Sequence, residues 1–257
     1  MTESLISASD WSDWVNDLDA HGLSVLGVME PAQLGEYLQG RLELDHAHAM
    51  QAKQWWIVGH HGRALWRTIL DAYRVASIDE LADEANPIDR WVHQFLSERI
   101  QLRGWAAKVW VPDATGEMGA VVPLQAIGRI LGWKHHSPFQ LNIDEMWGTW
   151  FAYRAVICAD VLAPRCDPVD RPSPCDSCLT RACEAACPAG ACSPQWDGSQ
   201  CQSHRLSANS SCRLDCLARR ACPVGSNEAY SDEQMRAHSM PSLRFIMGLD
   251  QSKRHAP

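Results

Sequence analysis

Four cysteines lie within thirteen residues of the stretch PCDSCLTRACEAACPAG, residues 174–190, and the last of them is followed by proline. The chain holds eleven cysteines in 257 residues, and none lies in the first 157. A disulfide framework fits poorly, because the count is odd and we expect a reducing compartment. A zinc site of the usual kind needs two C-x2-C pairs, and this chain has a single pair, Cys175 and Cys178.

The spacing instead favours iron–sulfur chemistry. The run Cys175-x2-Cys178-x4-Cys183-x3-Cys187-Pro188 is a stretched form of the bacterial ferredoxin run C-x2-C-x2-C-x3-C-P. A second run, Cys212-x3-Cys216-x5-Cys222-Pro223, ends in the same way. The similar sequences CPAG (187–190) and CPVG (222–225) predict two related halves of one module that holds two 4Fe-4S clusters.

Two cubes need eight thiolate ligands, and the two runs supply seven. Cys201, in SQCQSH between the runs, is the natural eighth. In two-cluster ferredoxins the last cysteine of a run binds the other cluster. Crossing the halves therefore predicts a first cluster held by Cys175, Cys178, Cys183 and Cys222. It predicts a second cluster held by Cys187, Cys201, Cys212 and Cys216. We interpret the remaining cysteines as small buried apolar side chains: Cys158, Cys166 and Cys192.

Charge and hydropathy narrow the class of partner. The net charge is −8, and the first 150 residues carry 11 Lys+Arg against 20 Asp+Glu. A nucleic-acid partner is not expected, because such binders usually present a basic stripe. No run of eighteen apolar residues predicts a membrane span. The first residues lack the pattern of a signal peptide, so we expect a cytoplasmic protein.

Helical and strand patterns alternate before the cysteines. Apolar periodicity and end signals predict helices over 12–22, 31–43, 64–76, 86–104 and 123–133. Short apolar runs predict strands over 23–30, 53–62, 106–112 and 149–160. This mixture indicates an α+β sandwich. Four prolines in PRCDPVDRPSP predict a linker over 164–174, between a domain over 1–163 and a cluster domain over 175–257.

The segment GRILGWKHHSPFQLNIDEMWGTWFAYRAVICAD, residues 128–160, resembles a pattern of the epoxyqueuosine reductase and reductive dehalogenase group. The shared features are Leu-Gly-Trp, then Leu-x-Ile/Asn, then Gly-x-Trp-Phe. The cluster segments PCDSCLTRACEAACPAG, SQCQSH and CRLDCLARRACPVG follow in the same order as in that group. The resemblance covers most of the chain from about residue 54 onward.

The resemblance implies a nitroreductase-like α+β sandwich that holds cobalamin, followed by a two-cluster ferredoxin-like module. Electrons from a low-potential donor of the ferredoxin or flavodoxin type would pass through the clusters to the corrinoid. The residues that it places around the corrin ring are Trp133, Ser137, Trp147, Gly148, Trp150, Phe151 and Tyr153. The aromatic members of this set would equally suit a hydrophobic core.

The chain also departs from the group. The acidic residue of an Asp-Tyr-His motif, a proton donor, would fall on Asp89, but Arg90 and Trp91 replace the other two residues. Asp89 would equally suit the first turn of a helix, where a carboxylate is favoured. Epoxyqueuosine reductases continue into a domain that helps to bind tRNA, whereas this sequence ends 35 residues after Cys222, so tRNA is not the expected substrate.

Three functions follow from this pattern. The first is a cobalamin-dependent reductase of a small molecule or of cobalamin itself. The second is a ferredoxin-type electron-transfer protein without cobalamin. The third is a cobalamin-handling protein without turnover of a separate substrate. Between the predicted ligands, Arg219 and Arg220 would offset the negative charge of a thiolate-bound cube.

Overall fold

A computed structural model describes residues 5–33, 51–81, 86–111, 124–130, 135–164 and 172–254. The chain divides into two compact units. Unit one comprises residues 1–133 and 151–171, and unit two comprises residues 134–150 and 172–257. Residues 134–150 thus group with the cysteine-rich part of the chain, although they precede a strand of unit one.

Unit one is built on a four-stranded antiparallel sheet. Its strands are β1 (Ser24–Met29), β2 (Gln54–His61), β3 (Ala107–Trp110) and β6 (Phe151–Ala159). Their order across the sheet is β1-β2-β6-β3. Strand β2 is buried over nearly its whole length, which matches its apolar run WWIVG. Strands and helices mix within one unit, so the chain is a mixed α/β protein with an antiparallel sheet.

The helices of unit one are α1 (Ala8–Ala20), α2 (Ala64–Tyr73), α3 (Pro87–Leu102) and α4 (Leu124–Ile130), with a 3-10 turn at Ile78–Leu81. Helix α1 begins at a Ser7 cap, whose side chain accepts from the Asp10 backbone N–H. Helix α3 begins with proline at its first position. Its buried residues recur at helical spacing, as the sequence predicts: Val92, Phe95, Leu96 and Ile100.

Tryptophans dominate the core between the helices and one face of the sheet. Trp14 and Trp56 are fully buried, and with Trp105 they form edge-to-face contacts at centroid distances of 5.5–6.3 Å. Such pairs add specific attraction to the burial of large apolar surface. Many tryptophans of the first half of the chain are therefore core residues.

Two irregularities in strand pairing lie on either side of Gly59. In the pairing of β1 with β2 the register shifts between Val25 and Gly27, so Leu26 is an extra residue. In the pairing of β2 with β6 it shifts between Val58 and Gly59, so Arg154 is an extra residue of β6. A Cβ atom at Gly59 would lie 2.5 Å from the Ala152 carbonyl oxygen and from Leu26 Cδ1, so this position requires glycine. Bulges of this kind redirect a side chain, here that of Arg154.

Apart from one helix of 23 residues, unit two has short elements and long connections. They are β4 (His135–His136) paired with β5 (Asn142–Ile143), helices α5 (Ala182–Ala185), α6 (Gly198–Leu206), α7 (Leu217–Ala221) and α8 (Asp232–Arg254), and a 3-10 turn at Ser226–Glu228. Its core combines Phe139 and Ile143 with Ala218 and cysteine side chains. A core this small buries little apolar surface, and cysteine side chains make up a large part of it.

Two glycines let separate parts of unit two approach backbone to backbone. A Cβ atom on Gly148 would lie 2.0 Å from the Val224 carbonyl oxygen, and one on Gly225 would lie 2.1 Å from the Trp147 carbonyl carbon. Both glycines have positive φ, +59° and +66°. The segment 134–150 is thereby packed against the turn that follows Cys222.

Most of the predicted elements are confirmed within the described residues, with ends shifted by a few positions. Most of the predicted helix over 31–43 lies outside the described residues, as do Trp133 and Cys166. Among the described residues, no helix is both long and apolar enough to cross a membrane.

Candidate functional site

The cysteine thiols of unit two fall into two neighbourhoods. In the first, the pKa of the Cys175 thiol is raised, mainly by burial. A hydrogen bond with Ser173 opposes this effect. Three nearby thiols add to it by repulsion: Cys222, Cys183 and Cys178. Burial also raises the pKa of Cys222, again with contributions from Cys183 and Cys178. We call Cys175, Cys178, Cys183 and Cys222 the first thiol group.

The second neighbourhood has the same form. Burial raises the pKa of Cys201; Arg205 opposes this, while Cys187 and Cys212 add to it. Burial raises the pKa of Cys216 to about 11, with repulsion from Cys212 and Cys201. We call Cys187, Cys201, Cys212 and Cys216 the second thiol group. The two groups contain the same residues as the crossed sets of ligands expected from the sequence, and each takes members from both cysteine runs.

Cys192 lies between the two groups. It is 4% exposed, and burial raises the pKa of its thiol, with further contributions from Cys183, Cys187 and Cys216. It therefore has neighbours in both groups. Cys158 is different, because it lies on β6 in unit one, where burial raises the pKa of its thiol to about 12. Cys158 and Cys192 are both buried, as expected of the cysteines that the ligand count leaves over.

A narrow cleft is bordered by all four thiols of the first group. Its other walls are largely apolar: Pro138, Phe139, Ile143, Pro174, Pro223 and Val224. Ser137 also borders the cleft, is 2% exposed, and its Oγ has no hydrogen-bond partner among the described residues. Leaving a buried hydroxyl without a partner is unfavourable, which points to a hydrogen-bond acceptor in the cleft.

Local hydrogen bonds position the thiols of the first group. Cys178 is the most accessible, and its pKa is lowered mainly by the backbone N–H of Arg181 and then by the Thr180 hydroxyl. Arg181 has a positive φ of 43°, which turns the chain so that its N–H faces the sulfur. The backbone N–H of Val224 acts in the same sense on Cys222. Donors of this kind stabilise thiolates, the form of cysteine that binds metals.

The second group is positioned by the starts of two short helices. Asp197 caps α6, where its Oδ1 accepts from the backbone N–H groups of Ser199 and Gln200 at 2.9 and 3.0 Å. This places Cys201 in the first turns of the helix. Cys216 precedes α7, and the backbone N–H of Arg219 lowers its pKa against the larger effect of burial.

The described residues contain no set of three His, Cys, Asp or Glu side chains that could hold a single metal ion. In a 4Fe-4S cube each thiolate binds a different iron atom, so its ligands surround a shared space and do not meet at one point. Two fourfold groups of reduced thiols, one of them around a cleft with an unpaired hydroxyl, fit the donor chemistry of such cubes.

The residues expected around a corrin ring are divided between the two units. Ser137, Trp147, Gly148 and Trp150 belong to unit two, and Phe151 and Tyr153 belong to unit one. Trp150 is 1% exposed and its ring contacts Tyr230 at 5.5 Å. Phe151 and Tyr153, 7% and 8% exposed, contact each other at 5.7 Å. Ser137 borders the cleft of the first thiol group, and Trp133 lies outside the described residues.

Two cavities of unit one are lined by other residues. One lies between α2 and α3 and includes Tyr73, Trp91 and Phe95. The other borders the edge strand β3 and includes Lys108, Trp110 and Cys158. Neither cavity is lined by a residue expected to contact the corrin, so these contacts stay a prediction.

Asp89 lies in the first turn of α3, as one of its two predicted roles requires. Its Oδ1 is 3.5 Å from Arg154 Nη1, and Arg154 Nε donates to His60 Nδ1 at 3.1 Å. The bulge in β6 thus brings Arg154 to a carboxylate on α3 and to a buried histidine on β2. The catalytic role of Asp89 stays a prediction.

Sequence reasoning missed the contribution of residues 134–150 to the thiol-rich unit. It also missed the unpaired hydroxyl of Ser137 in the first cleft and the contacts of Cys192 with both groups. Gly148, inside the aromatic run WGTWF, was the one local signal, because an isolated glycine before a strand suggests close backbone approach.

No protein-family model and no curated protein sequence matches this chain. Among solved structures, a C. elegans B12-trafficking protein CblC, described as a homologue of human MMACHC, matches at 12% identity and a TM-score of 0.47. That match covers 90% of this chain and 92% of the other. An epoxyqueuosine reductase with a tRNA stem loop matches at 11% identity and a TM-score of 0.45, over 88% and 68%.

The epoxyqueuosine reductase from Streptococcus thermophilus matches at 13% identity and a TM-score of 0.42, over 84% of this chain and 65% of that protein. Similarity at this level is too distant to transfer a function.

Proposed function

We propose that this chain is an iron–sulfur protein that carries electrons through two 4Fe-4S clusters. The observation that carries the proposal is the division of eight thiols into two fourfold groups, each drawing members from both cysteine runs. Cys175, Cys178, Cys183 and Cys222 would hold the first cluster. Cys187, Cys201, Cys212 and Cys216 would hold the second. The clusters supply one-electron chemistry, with potentials set by charge, exposure and hydrogen bonds to sulfur.

The protein's own contribution is to present the thiolates and to control their surroundings. In the first group, backbone N–H groups of Arg181 and Val224 face the sulfurs of Cys178 and Cys222. The Ser137 hydroxyl would donate a hydrogen bond into the same cleft. The apolar walls of the cleft would limit access of water on one side.

The proposed recipient of the electrons is a corrinoid, which would provide the difficult chemistry when it is bound. This part of the proposal rests on the likeness of residues 128–160 to the corresponding segment of cobalamin-dependent reductases. A low-potential ferredoxin or flavodoxin would supply the electrons, and a small molecule or cobalamin itself would be reduced. A ferredoxin-type carrier without cobalamin is the alternative, and it is favoured by the burial of Trp150 against Tyr230.

One experiment tests both parts. The full chain is produced with cobalamin supplied, purified and reconstituted without oxygen, and its iron, sulfide and cobalt are measured beside the visible and EPR spectra. We expect iron and sulfide for two cubes, and the sharp absorption bands of a corrin. Two cubes without corrin would support the alternative carrier. Zinc, or no metal at all, would contradict the whole proposal.

A matched pair of variants tests the ligands. Cys201→Ser removes a member of the second group and should lower the iron content by about half. Cys158→Ser changes a buried thiol in unit one and should leave the iron content unchanged. Unaltered iron in Cys201→Ser would remove this residue from the set of ligands.

A further inference from the structure

Arg219 is a buried cation that interacts with Tyr230 and Cys216 but has no carboxylate partner among the described residues. It is 8% exposed, and its guanidinium lies 4.5 and 4.7 Å from the ring centroids of Trp150 and Tyr230, which contact each other at 5.5 Å. One terminal nitrogen donates to the Thr149 carbonyl and the other lies 3.6 Å from the Met235 sulfur. Its Nε is buried and has no hydrogen-bond partner among the described residues.

The adjacent Arg220 makes an instructive contrast. Its Nε lies 3.1 Å from both carboxylate oxygens of Asp215, and its Nη2 lies 2.8 Å from Asp232. Two carboxylates therefore balance the charge of Arg220. Within the described part of the chain, no carboxylate lies within ion-pair distance of Arg219. A buried charge without a counter-charge is strongly unfavourable, so the position of Arg219 calls for a negative group.

The negative group at hand is the second thiol group. Arg219 lies three residues after Cys216, its backbone N–H faces the Cys216 sulfur, and its charge acts on the same sulfur. A cube held by four thiolates carries net negative charge, and reduction adds one more. We propose that Arg219 is the counter-charge of the second cluster and raises its reduction potential. This inference rests on the proposed iron–sulfur function.

The physical reason is differential stabilisation. A fixed cation attracts the reduced cluster more strongly than the oxidised cluster, because the reduced form has the larger negative charge. The attraction is strong because the guanidinium is shielded from water by two aromatic rings. The charge of Arg220 is balanced by Asp215 and Asp232 and should contribute much less.

The test is an EPR-monitored redox titration of the reconstituted full chain. The variants are Arg219→Gln, Arg219→Lys and the matched control Arg220→Gln. The signal that is lost in Cys201→Ser identifies the second cluster. We expect Arg219→Gln to shift the midpoint potential of the second cluster to more negative values and to leave that of the first unchanged. Arg219→Lys and Arg220→Gln should shift it much less.

Several results would overturn the inference. These are an unchanged potential in Arg219→Gln, an equal shift of both clusters, or an equal shift in Arg220→Gln. Should Arg219→Gln lose the second cluster while Arg219→Lys retains it, the requirement for charge is supported. Loss of the cluster in both variants would show that shape, not charge, is what the site needs. Absence of iron from the wild-type protein would instead contradict the proposed function itself.

Discussion

The two thiol groups use the same donor atoms in different electrostatic surroundings. Around the first group, most donors that face the sulfurs are neutral: backbone N–H groups of Arg181 and Val224 and the hydroxyls of Ser173 and Thr180. The Arg181 guanidinium adds a smaller effect on Cys178, but it is exposed and pairs with Glu184. Beside the second group lies a buried guanidinium, that of Arg219, which has no carboxylate partner among the described residues. Two sites built from one repeated motif can therefore respond differently to solvent and to substitution.

The largest expected effect concerns the packing beside the first group. Gly148 and Gly104 both have positive φ, +59° and +64°. In Gly148→Ala the new Cβ would overlap the Val224 carbonyl, whereas in Gly104→Ala no atom lies within 4 Å of the new Cβ. We expect Gly104→Ala to cost about 1–2 kcal/mol, from backbone strain alone. Gly148→Ala should cost about 2–5 kcal/mol, because steric overlap adds to that strain. Denaturant unfolding of the two variants measures the difference in unfolding free energy. Equal losses of stability would contradict the close approach of Gly148 to Val224.

A second prediction compares thiol reactivity in the metal-free, reduced protein. The pKa of Cys178 is lowered, by the Arg181 N–H first, and burial raises the pKa of Cys216 to about 11. A lower pKa leaves more thiolate at neutral pH, so Cys178 should react at lower pH than Cys216. Cys178 should therefore be alkylated faster than Cys216 at pH 7, on the order of tenfold after allowance for its weaker nucleophilicity.

Brief iodoacetamide labelling followed by peptide mass spectrometry measures these rates. Cys158 in unit one, whose pKa is about 12, serves as the slow reference. Equal labelling of Cys178 and Cys216 at pH 7 would mean that the two groups do not differ as described.

The smallest effect concerns Ser137. In the metal-free protein, Ser137→Ala removes a buried hydroxyl without a partner, so we expect stability to rise by about 1 kcal/mol. With clusters bound, the same change removes a hydrogen bond, so the gain should vanish or reverse. Unfolding of both forms, with and without iron, measures this change of sign. An equal gain in unfolding free energy in both forms would mean that the Ser137 hydroxyl donates no hydrogen bond to a bound cluster.

The elements of unit one could be predicted because each has a local signature. Helix α3 combines proline at its start, apolar residues at helical spacing and Gly104 after its end. The two sets of cysteines could also be predicted, because eight cysteines in two similar runs and between them can form two fourfold sites in few ways. These features depend on residues that are close in sequence or on counting.

Other features depend on contacts between distant segments and left no such signature. Residues 134–150 join unit two through backbone contacts, which side-chain patterns do not report. The sequence also placed Arg219 and Arg220 on equal terms as sources of positive charge. Their difference arises because Asp215 and Asp232 reach one guanidinium, while the other is buried beside two aromatic rings.

The pairing of Gly148 with the Val224–Gly225 turn has a consequence for fragments of the chain. A peptide cut to residues 172–257 would contain all eight thiols of the two groups and would look like an autonomous miniature ferredoxin. It would nevertheless lack the strip that supplies Phe139, Ile143 and the wall of the first cleft. The compact unit that holds the eight thiols is therefore discontinuous in sequence, with residues 134–150 and 172–257 as its two parts.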